Sequence, residues 1–189
     1  TLTHSTTNDW VDSATDAPVH GGLSPFGEDV VREMNRTGML VDLSHVSADS
    51  MRDALRVSAA PVIFSHSSAF AITPHPRNVP DDVLKLVKAN GGVVMVNFYS
   101  GFLTPEGARA MQKMFEVGRD FRKKFADDDA KYREAMRAWS KENDYPPGHV
   151  RDIADHIDHI VKVAGIDHVG IGSDFDGINK APQQMTDVS

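Results

Sequence analysis

Short apolar runs alternate with amphipathic stretches along most of this chain. Four apolar runs have the length and composition of buried strands, and they occupy residues 39–43, 61–65, 92–98 and 168–172. Four intervening stretches repeat apolar residues at helical spacing, and they occupy residues 24–38, 47–59, 81–91 and 149–164. Strands that alternate with helices in this way predict a parallel sheet and an α/β fold.

Capping residues set the expected helix limits. Ser24 followed by Pro25 predicts the start of the first helix, and Gly38 predicts its end. Its apolar side chains are expected to face inward, and they are Phe26, Val30, Val31 and Met34. Asp81 or Asp82 is expected to begin a later helix that ends at Gly91.

Two histidines end successive apolar runs. His45 and His66 lie 21 residues apart, with a helical stretch between them. This length fits a strand–helix–strand unit, which places both side chains at the carboxyl ends of neighbouring parallel strands. Imidazole is a common zinc ligand, and a single rim histidine is more often only a polar strand end. Two histidines at the same level of neighbouring strands, however, predict a shared metal site.

Three further polar residues are expected at the same rim. His4 ends a short β-branched stretch, Arg77 lies in a proline-rich loop, and Asp174 follows the apolar residues 169–172. Gly172 and Gly177 beside Asp174 are expected to allow tight backbone approach. Such clustering is typical of (β/α)₈ (TIM) barrel enzymes. Five of eight strands are visible, so the abrupt start favours a partial barrel of the last five strands over an open sheet.

Residues 104–148 interrupt this rhythm with a long charged and helical stretch. We expect it to be a helical insertion over the rim within one domain spanning residues 1–189, with a Met and Phe stripe used for packing. His156 and His159 share a helix face, and we expect them to have packing or surface roles. Four other histidines receive no predicted role: His20, His75, His149 and His168.

The amino-acid composition excludes several kinds of partner and of metal ligand. The net charge of −7 argues against a nucleic-acid partner, and the absence of cysteine excludes thiolate metal ligands and disulfides. No apolar run approaches the length of a membrane span. Because the chain has no cysteine, any metal ion must be bound by His, Asp or Glu side chains.

Eight blocks in order resemble the membrane (renal) dipeptidase family, peptidase family M19: LTHS, GLSPFG, VDLSHVS, PVIFSHSSA, RNVPDD, VMVNFY, ADHIDHI and GSDFDG. The resemblance covers nearly all of the chain except the helical stretch, which is similar to that of bacterial members. It implies a (β/α)₈ metallo-dependent hydrolase barrel with two Zn²⁺ ions that hydrolyses dipeptides through a metal-bridged hydroxide.

The resemblance also implies roles for particular residues. His45 and His66 match ligands of one zinc, and Asp174 matches the catalytic acid/base. His4 matches a histidine that contacts substrate and steadies the oxyanion, and Arg77 matches the arginine that holds the substrate carboxylate. The expected pocket lining adds Tyr99 and Phe102.

The family's upstream His-x-Asp pair and bridging glutamate have no counterpart here, so the chain looks like the C-terminal portion of the barrel. We expect it to be weakly active or inactive alone. Two alternatives remain: another binuclear amidohydrolase-like enzyme, and a non-catalytic module derived from a barrel. The sequence leaves open the compartment (bacterial cytoplasm or periplasm), the side-chain and stereochemical preference, and the oligomeric state, a homodimer included.

Overall fold

The computed structural model describes residues 1–185, and its centre is a three-stranded parallel sheet. The strands are β1 (Ile63–Phe64), β2 (Val93–Asn97) and β3 (Val169–Ser173), in the order β1-β2-β3. Ile63 lies opposite Val93, and Val94 lies opposite Val169. The parallel α/β class that the alternating pattern predicted is therefore confirmed.

Seven helices surround or extend this sheet within the described residues: α1 (Pro25–Thr37), α2 (Ala48–Val57), α3 (Asp81–Asn90), α4 (Ser100–Leu103), α5 (Pro105–Lys124), α6 (Asp129–Glu142) and α7 (Val150–Val163). A short 3₁₀ turn, Ile166–His168, leads into β3. The capping predictions are confirmed for α1, because Ser24 Oγ accepts from the Gly27 N–H at 3.2 Å and Gly38 takes a left-handed φ of 75°.

Two predicted strands are not formed as expected. Residues 1–4 adopt no strand, and residues 39–43 contribute one parallel bridge, between Asp42 and Ile63. The second stretch was expected to be buried on both faces, but Met39 is 61% exposed and Leu40 is 68% exposed. Backbone bonds still hold its end, since the Leu43 N–H donates to Ile63 O at 2.8 Å. Among the described residues the sheet thus has three strands instead of five, and residues 39–43 join it through a single bridge.

The core lies between the sheet and the helices that follow its strands. Its large side chains with almost no solvent exposure include Phe64 of β1, Met51 of α2, Leu84 of α3, Leu103 of α4 and Ile160 of α7. Helix α1 buries Val31, whereas Phe26 is 65% exposed, so the expectation that Phe26 faces inward is wrong. Phe26 instead lines a surface cleft with Val30, Met34 and Met39.

The helical segment, residues 104–148, is built differently. Helix α5 buries only Gly107, Ala108 and Met111, and α6 has no buried residue. Short helix α4 connects this segment to the end of β2. Within residues 1–185, no helix combines the length and apolar composition that a membrane crossing requires.

Candidate active site

One cavity of about 540 Å³ lies at the carboxyl end of the sheet. Its walls contain all seven side chains that the sequence singled out: His4, His45, His66, Arg77, Tyr99, Phe102 and Asp174. They come from segments far apart in the chain. The fold therefore brings every predicted site residue to a single place.

The two candidate metal ligands meet in this cavity. His45 Nε2 and His66 Nε2 lie 2.8 Å apart, and the His4 ring stacks on the His45 ring with centroids 4.0 Å apart. His45 adopts a left-handed φ of 74°, which is uncommon for a residue other than glycine. This conformation turns the imidazole away from the core and toward the neighbouring histidine.

A hydrogen-bonded chain orients His66. Ser65 Oγ donates to Asp42 Oδ2 at 2.6 Å, and His66 Nδ1 lies 2.8 Å from the same Ser65 oxygen. Because the hydroxyl proton points at Asp42, Nδ1–H of His66 is the donor to Ser65. His66 Nε2 is then the unprotonated nitrogen of the ring: it accepts from His45 Nε2–H at 2.8 Å, and it carries the lone pair that binds a metal.

Electrostatics keep these imidazoles neutral. Burial, followed by the nearby positive charge of Arg77, lowers the pKa of His45 to about 2. The same two causes lower the pKa of His66, although the carboxylates of Asp174 and Asp42 oppose them. Both rings are therefore uncharged at neutral pH, the form in which imidazole is a nitrogen ligand.

Asp42 remains charged despite its partial burial. Burial alone would raise its pKa, but hydrogen bonds from Ser65 Oγ and from the N–H groups of Ser44 and Ser65 together lower it. The sequence analysis assigned no role to Asp42. The only available signal was that it is the one polar residue within the apolar run 39–43.

Arg77 is a buried cation without a full set of partners. It is 2% exposed, and burial lowers its pKa to about 10, so it stays protonated at neutral pH. Its Nη2 donates to His66 O at 3.4 Å, and its Cζ lies 5.3 Å from the Phe102 ring centre. Among the described residues, Nη1 has no hydrogen-bond partner. A buried guanidinium left in this state is suited to an anionic ligand.

Asp174 lies where β3 leaves the sheet. It has a φ of 70°, and its Oδ2 accepts from Asn97 Nδ2 at 3.0 Å. A Cβ at Gly172 would lie 2.2 Å from Ser65 O, so glycine is needed for β3 to approach that backbone. A Cβ at Gly177 would lie 2.3 Å from Asp174 Oδ1, which confirms the expected tight approach around this carboxylate.

Several cavity residues were missed by the sequence analysis. Asn97 ends β2 beside Asp174, and Met111 and Asp176 line the cavity. Met111 comes from α5, so no spacing pattern connects it with the strand ends. The expected packing role of His156 agrees with its contacts, since Nδ1 accepts from the Ala69 N–H at 2.9 Å and Nε2–H donates to Leu103 O at 3.1 Å.

The donor set fits part of a metal's coordination shell. His45 and His66 present two neutral, converging nitrogen atoms, and the chain from Asp42 through Ser65 fixes one of them. Among residues 1–185, no three His, Asp or Glu side chains group closely enough to hold an ion. Catalytic zinc normally has three protein ligands, so these two supply only a part.

Comparison with known proteins gives a consistent result. The model of the membrane dipeptidase family, peptidase family M19, matches residues 1–189. The chain is 44% identical to dipeptidase tcpJ of Claviceps purpurea over its whole length, covering 36% of that protein. It is 46% identical to an uncharacterized dipeptidase of Schizosaccharomyces pombe, covering 37% of it. The chain thus spans little more than a third of these curated relatives.

Solved structures agree in fold. The probable dipeptidase PvdM from Pseudomonas aeruginosa is 28% identical with a TM-score of 0.75, over 93% of this chain and 50% of that one. A metallopeptidase from Rhodobacter sphaeroides, liganded with a phosphinate mimic of the dipeptide L-Ala-D-Ala, is 29% identical with a TM-score of 0.66. That match covers 93% of this chain and 39% of the Rhodobacter chain.

Proposed function

The chain belongs to the membrane dipeptidase family, peptidase family M19, and on that premise we propose that it forms the substrate-binding part of a zinc dipeptidase active site. The reaction is hydrolysis of the peptide bond of a dipeptide. The observation that carries this proposal is the placement of Arg77, a buried cation with an unpartnered Nη1, in the same cavity as the paired imidazoles of His45 and His66.

This arrangement favours short substrates for a physical reason. Arg77 can pair in a forked geometry with a free carboxylate, and its burial strengthens that interaction. A carboxylate held there places the neighbouring amide bond toward the histidine pair. A longer peptide has no free carboxylate at that position, so Arg77 selects substrates that end one residue after the scissile bond.

The remaining side chains receive roles in the same proposal. Asp174 accepts a proton from the attacking water and delivers it to the leaving amine, and Asn97 holds it in position. His4, exposed and stacked on His45, contacts the substrate and stabilises the developing oxyanion. Tyr99 and Phe102 line the pocket next to Arg77.

His45 and His66 would hold one zinc ion. Such an ion supplies Lewis-acid activation of water and of the carbonyl group. We propose that its other ligands, and those of a second zinc, lie in the part of the relatives' length that residues 1–189 do not cover. The Asp42–Ser65 chain keeps His66 in the tautomer whose Nε2 is unprotonated.

The finer architecture is also a proposal. The parallel sheet, the bridging segment at Asp42 and the match to half of the PvdM chain support a partial (β/α)₈ barrel. Within it, residues 104–148 would be an inserted helical segment. The bacterial-type assignment depends on that segment alone, since both curated relatives above are fungal.

A substrate panel tests the proposed activity. The intact protein that contains residues 1–189 is loaded with zinc and assayed with a dipeptide, its C-terminal amide and a cyclic amide of similar size. We expect kcat/KM for the amide to be lower by ~30-fold or more, because Arg77 loses its charged partner. Arg77→Met should remove this preference. Equal cleavage of dipeptide and amide would contradict the proposal, and faster cleavage of the cyclic amide would favour an amidohydrolase-like enzyme.

A metal count tests the proposed ligands separately. Zinc per chain is measured by atomic emission on residues 1–189 and on any longer polypeptide of which they are part. We expect His66→Ala to lower the zinc content of the longer form, whereas His168→Ala, whose Nδ1 contacts Gly92 O at 2.8 Å, should not. We expect little zinc and weak or no turnover for residues 1–189 alone. If neither residues 1–189 nor the longer polypeptide binds zinc, the result would favour a non-catalytic module over a dipeptidase.

A further inference from the structure

A second cleft of about 450 Å³ lies between helix α5 and two loops, and it shares no lining residue with the candidate active site. Its walls are residues 14–17, His75 with Pro76, and one face of α5. This volume falls within the range of about 300–1,000 Å³ that is usual for small-molecule sites. The cleft contains a buried polar group that the proposed reaction does not use.

That group is the imidazole of His75. The side chain is 2% exposed, and its ring packs against Phe102 with centroids 4.6 Å apart and faces Phe115 at 6.3 Å. The Arg77 N–H donates to His75 Nδ1 at 3.1 Å, so the neutral ring carries its proton on Nε2. Among the described residues, Nε2 has no hydrogen-bond partner. The ring is buried as a whole, but it lines the cleft, so its Nε2–H is available to an occupant.

Helix α5 supplies the second wall with a matching face. Gln112, Phe115, Glu116 and Arg119 follow one another at spacings that place them on the same side of a helix. Arg109 and Arg122 on this helix pair with Glu106 and Asp129. Arg119 forms no ion pair with the residues that the structure describes, so its guanidinium is available.

The opposite wall carries negative charge. Asp16 Oδ2 accepts from the Thr7 N–H at 2.9 Å, and its Oδ1 accepts from the Ala17 N–H at 2.8 Å. These bonds fix the carboxylate at the rim of the cleft. Glu116 on the helix adds a second carboxylate, whose Oε2 lies 3.5 Å from Lys113 Nζ in an exposed ion pair. The cleft thus offers two carboxylates, one guanidinium, one imidazole N–H and the apolar ring of Phe115.

We propose that this cleft binds a free α-amino acid with an apolar side chain. The carboxylate of the amino acid pairs with Arg119 and accepts from His75 Nε2–H. Its ammonium group pairs with Asp16 and Glu116, and its side chain packs on Phe115. An amino acid carries both charges next to an apolar group, which is the combination that these walls complement. The site is separate from the dipeptide cavity and does not depend on the proposed hydrolysis.

Calorimetric titration of L-leucine into the intact protein tests this site directly. We expect saturable binding with a Kd of about 1 mM or lower. Arg119→Ala should weaken binding by ~10-fold or more, because the carboxylate of leucine loses its charged partner. Arg119 is exposed on α5, so the variant should keep the fold. Arg109→Ala, on the same helix but outside the cleft, is the matched control and should bind leucine normally. Equal melting temperatures for the two variants verify that both are folded.

Ligand analogues and one active-site variant complete the test. Leucinamide lacks the carboxylate and N-acetylleucine lacks the ammonium group, so each should bind ~10-fold or more weakly than leucine. No binding of leucine at about 10 mM would overturn the proposal. Binding that is lost in Arg77→Met but kept in Arg119→Ala would also overturn it, by placing leucine in the dipeptide cavity. Leucine binding without any dipeptide hydrolysis would instead count against the proposed function alone.

Discussion

The sheet region and the helical segment use the same amino acids for different purposes. Around the sheet, large apolar side chains such as Phe64, Leu84 and Ile160 have no solvent exposure. In the helical segment, α6 buries no residue, and its charges form exposed ion pairs such as Arg122 with Asp129. Exposed pairs of this kind contribute little stability. The sheet region therefore carries the stability, whereas the helical segment closes the sides of cavities.

The two regions also differ in which side chains they contribute to the candidate active site. The charged and titratable groups of the candidate site stand on strand ends and on the loops that follow them, where the core fixes the backbone. Left-handed conformations at His45 and Asp174 are maintained there, although each costs on the order of 1–3 kcal/mol. The helical segment contributes Met111 to the candidate active-site cavity and a helix face to the second cleft. It lines both cavities, whereas the charged side chains of the candidate active site come from other parts of the chain.

The largest expected effect comes from the carboxylate at the end of β3. Asp174→Asn keeps the side-chain shape and tolerates a left-handed φ, but it cannot accept a proton. We expect kcat/KM for a dipeptide to fall by about 10²–10⁴ in the zinc-loaded intact protein. Asp176→Asn, in the same cavity, is the control and should change the rate less than ~10-fold. Similar losses in both variants would contradict a specific role for Asp174.

A core truncation compares the stability of the two regions. Phe64→Ala removes a ring with 0% exposure, and we expect the free energy of unfolding to fall by about 3–5 kcal/mol. Phe121→Ala is the matched change in the helical segment, where the ring is only partly buried. It should cost about 1 kcal/mol. Chemical denaturation of both variants measures the difference, and equal costs would show that the helical segment is as tightly packed as the sheet.

Acid should weaken the contact between the two regions through His75. Burial, followed by the positive charge of Arg77, lowers the pKa of His75 from 6.5 to about 4. Between these two pKa values the His75 side chain is protonated in the unfolded chain and neutral in the folded chain. The contribution of His75 to the free energy of unfolding is therefore complete above pH 6.5 and decreases as the pH falls toward 4. The total loss is about 3 kcal/mol at most.

His75→Asn separates this contribution from that of the other histidines. The amide oxygen can still accept from the Arg77 N–H, but the side chain does not titrate. We expect the free energy of unfolding to decrease less steeply between pH 6.5 and 4 in the variant, as measured by urea denaturation at several pH values. An unchanged pH dependence would contradict the prediction, provided that the variant is folded at pH 7.

The smallest effect is expected where the helical segment enters the candidate active-site cavity. Met111 is 6% exposed, and the Tyr99 hydroxyl lies 2.9 Å from its sulfur. Met111→Ala should raise KM about fivefold for small dipeptides and improve the relative use of substrates with bulkier side chains, with kcat little changed. Steady-state kinetics on a series of dipeptides measures both. A fall in kcat as large as that of Asp174→Asn would show that the helical segment takes part in the reaction.

Much of the fold follows from local pattern. Helix α1 begins and ends where its serine, proline and glycine predict, and the α/β class follows from the alternation of short apolar runs with amphipathic stretches. These features depend on neighbours in sequence, because capping bonds and helical spacing act within a few residues. The exposure of Phe26 and Met39 was not predictable, since burial depends on which other elements cover a surface.

The candidate site shows the same division. The sequence by itself determined which side chains meet in the cavity, since His45, His66 and Asp174 each follow an apolar run and parallel strands bring such ends together. Only the tertiary structure decided that Asp42 orients His66 through Ser65, that Arg77 is buried with an unpartnered nitrogen, and that Met111 closes the cavity. Each of these depends on contacts between distant segments, whose distances and desolvation no local pattern encodes.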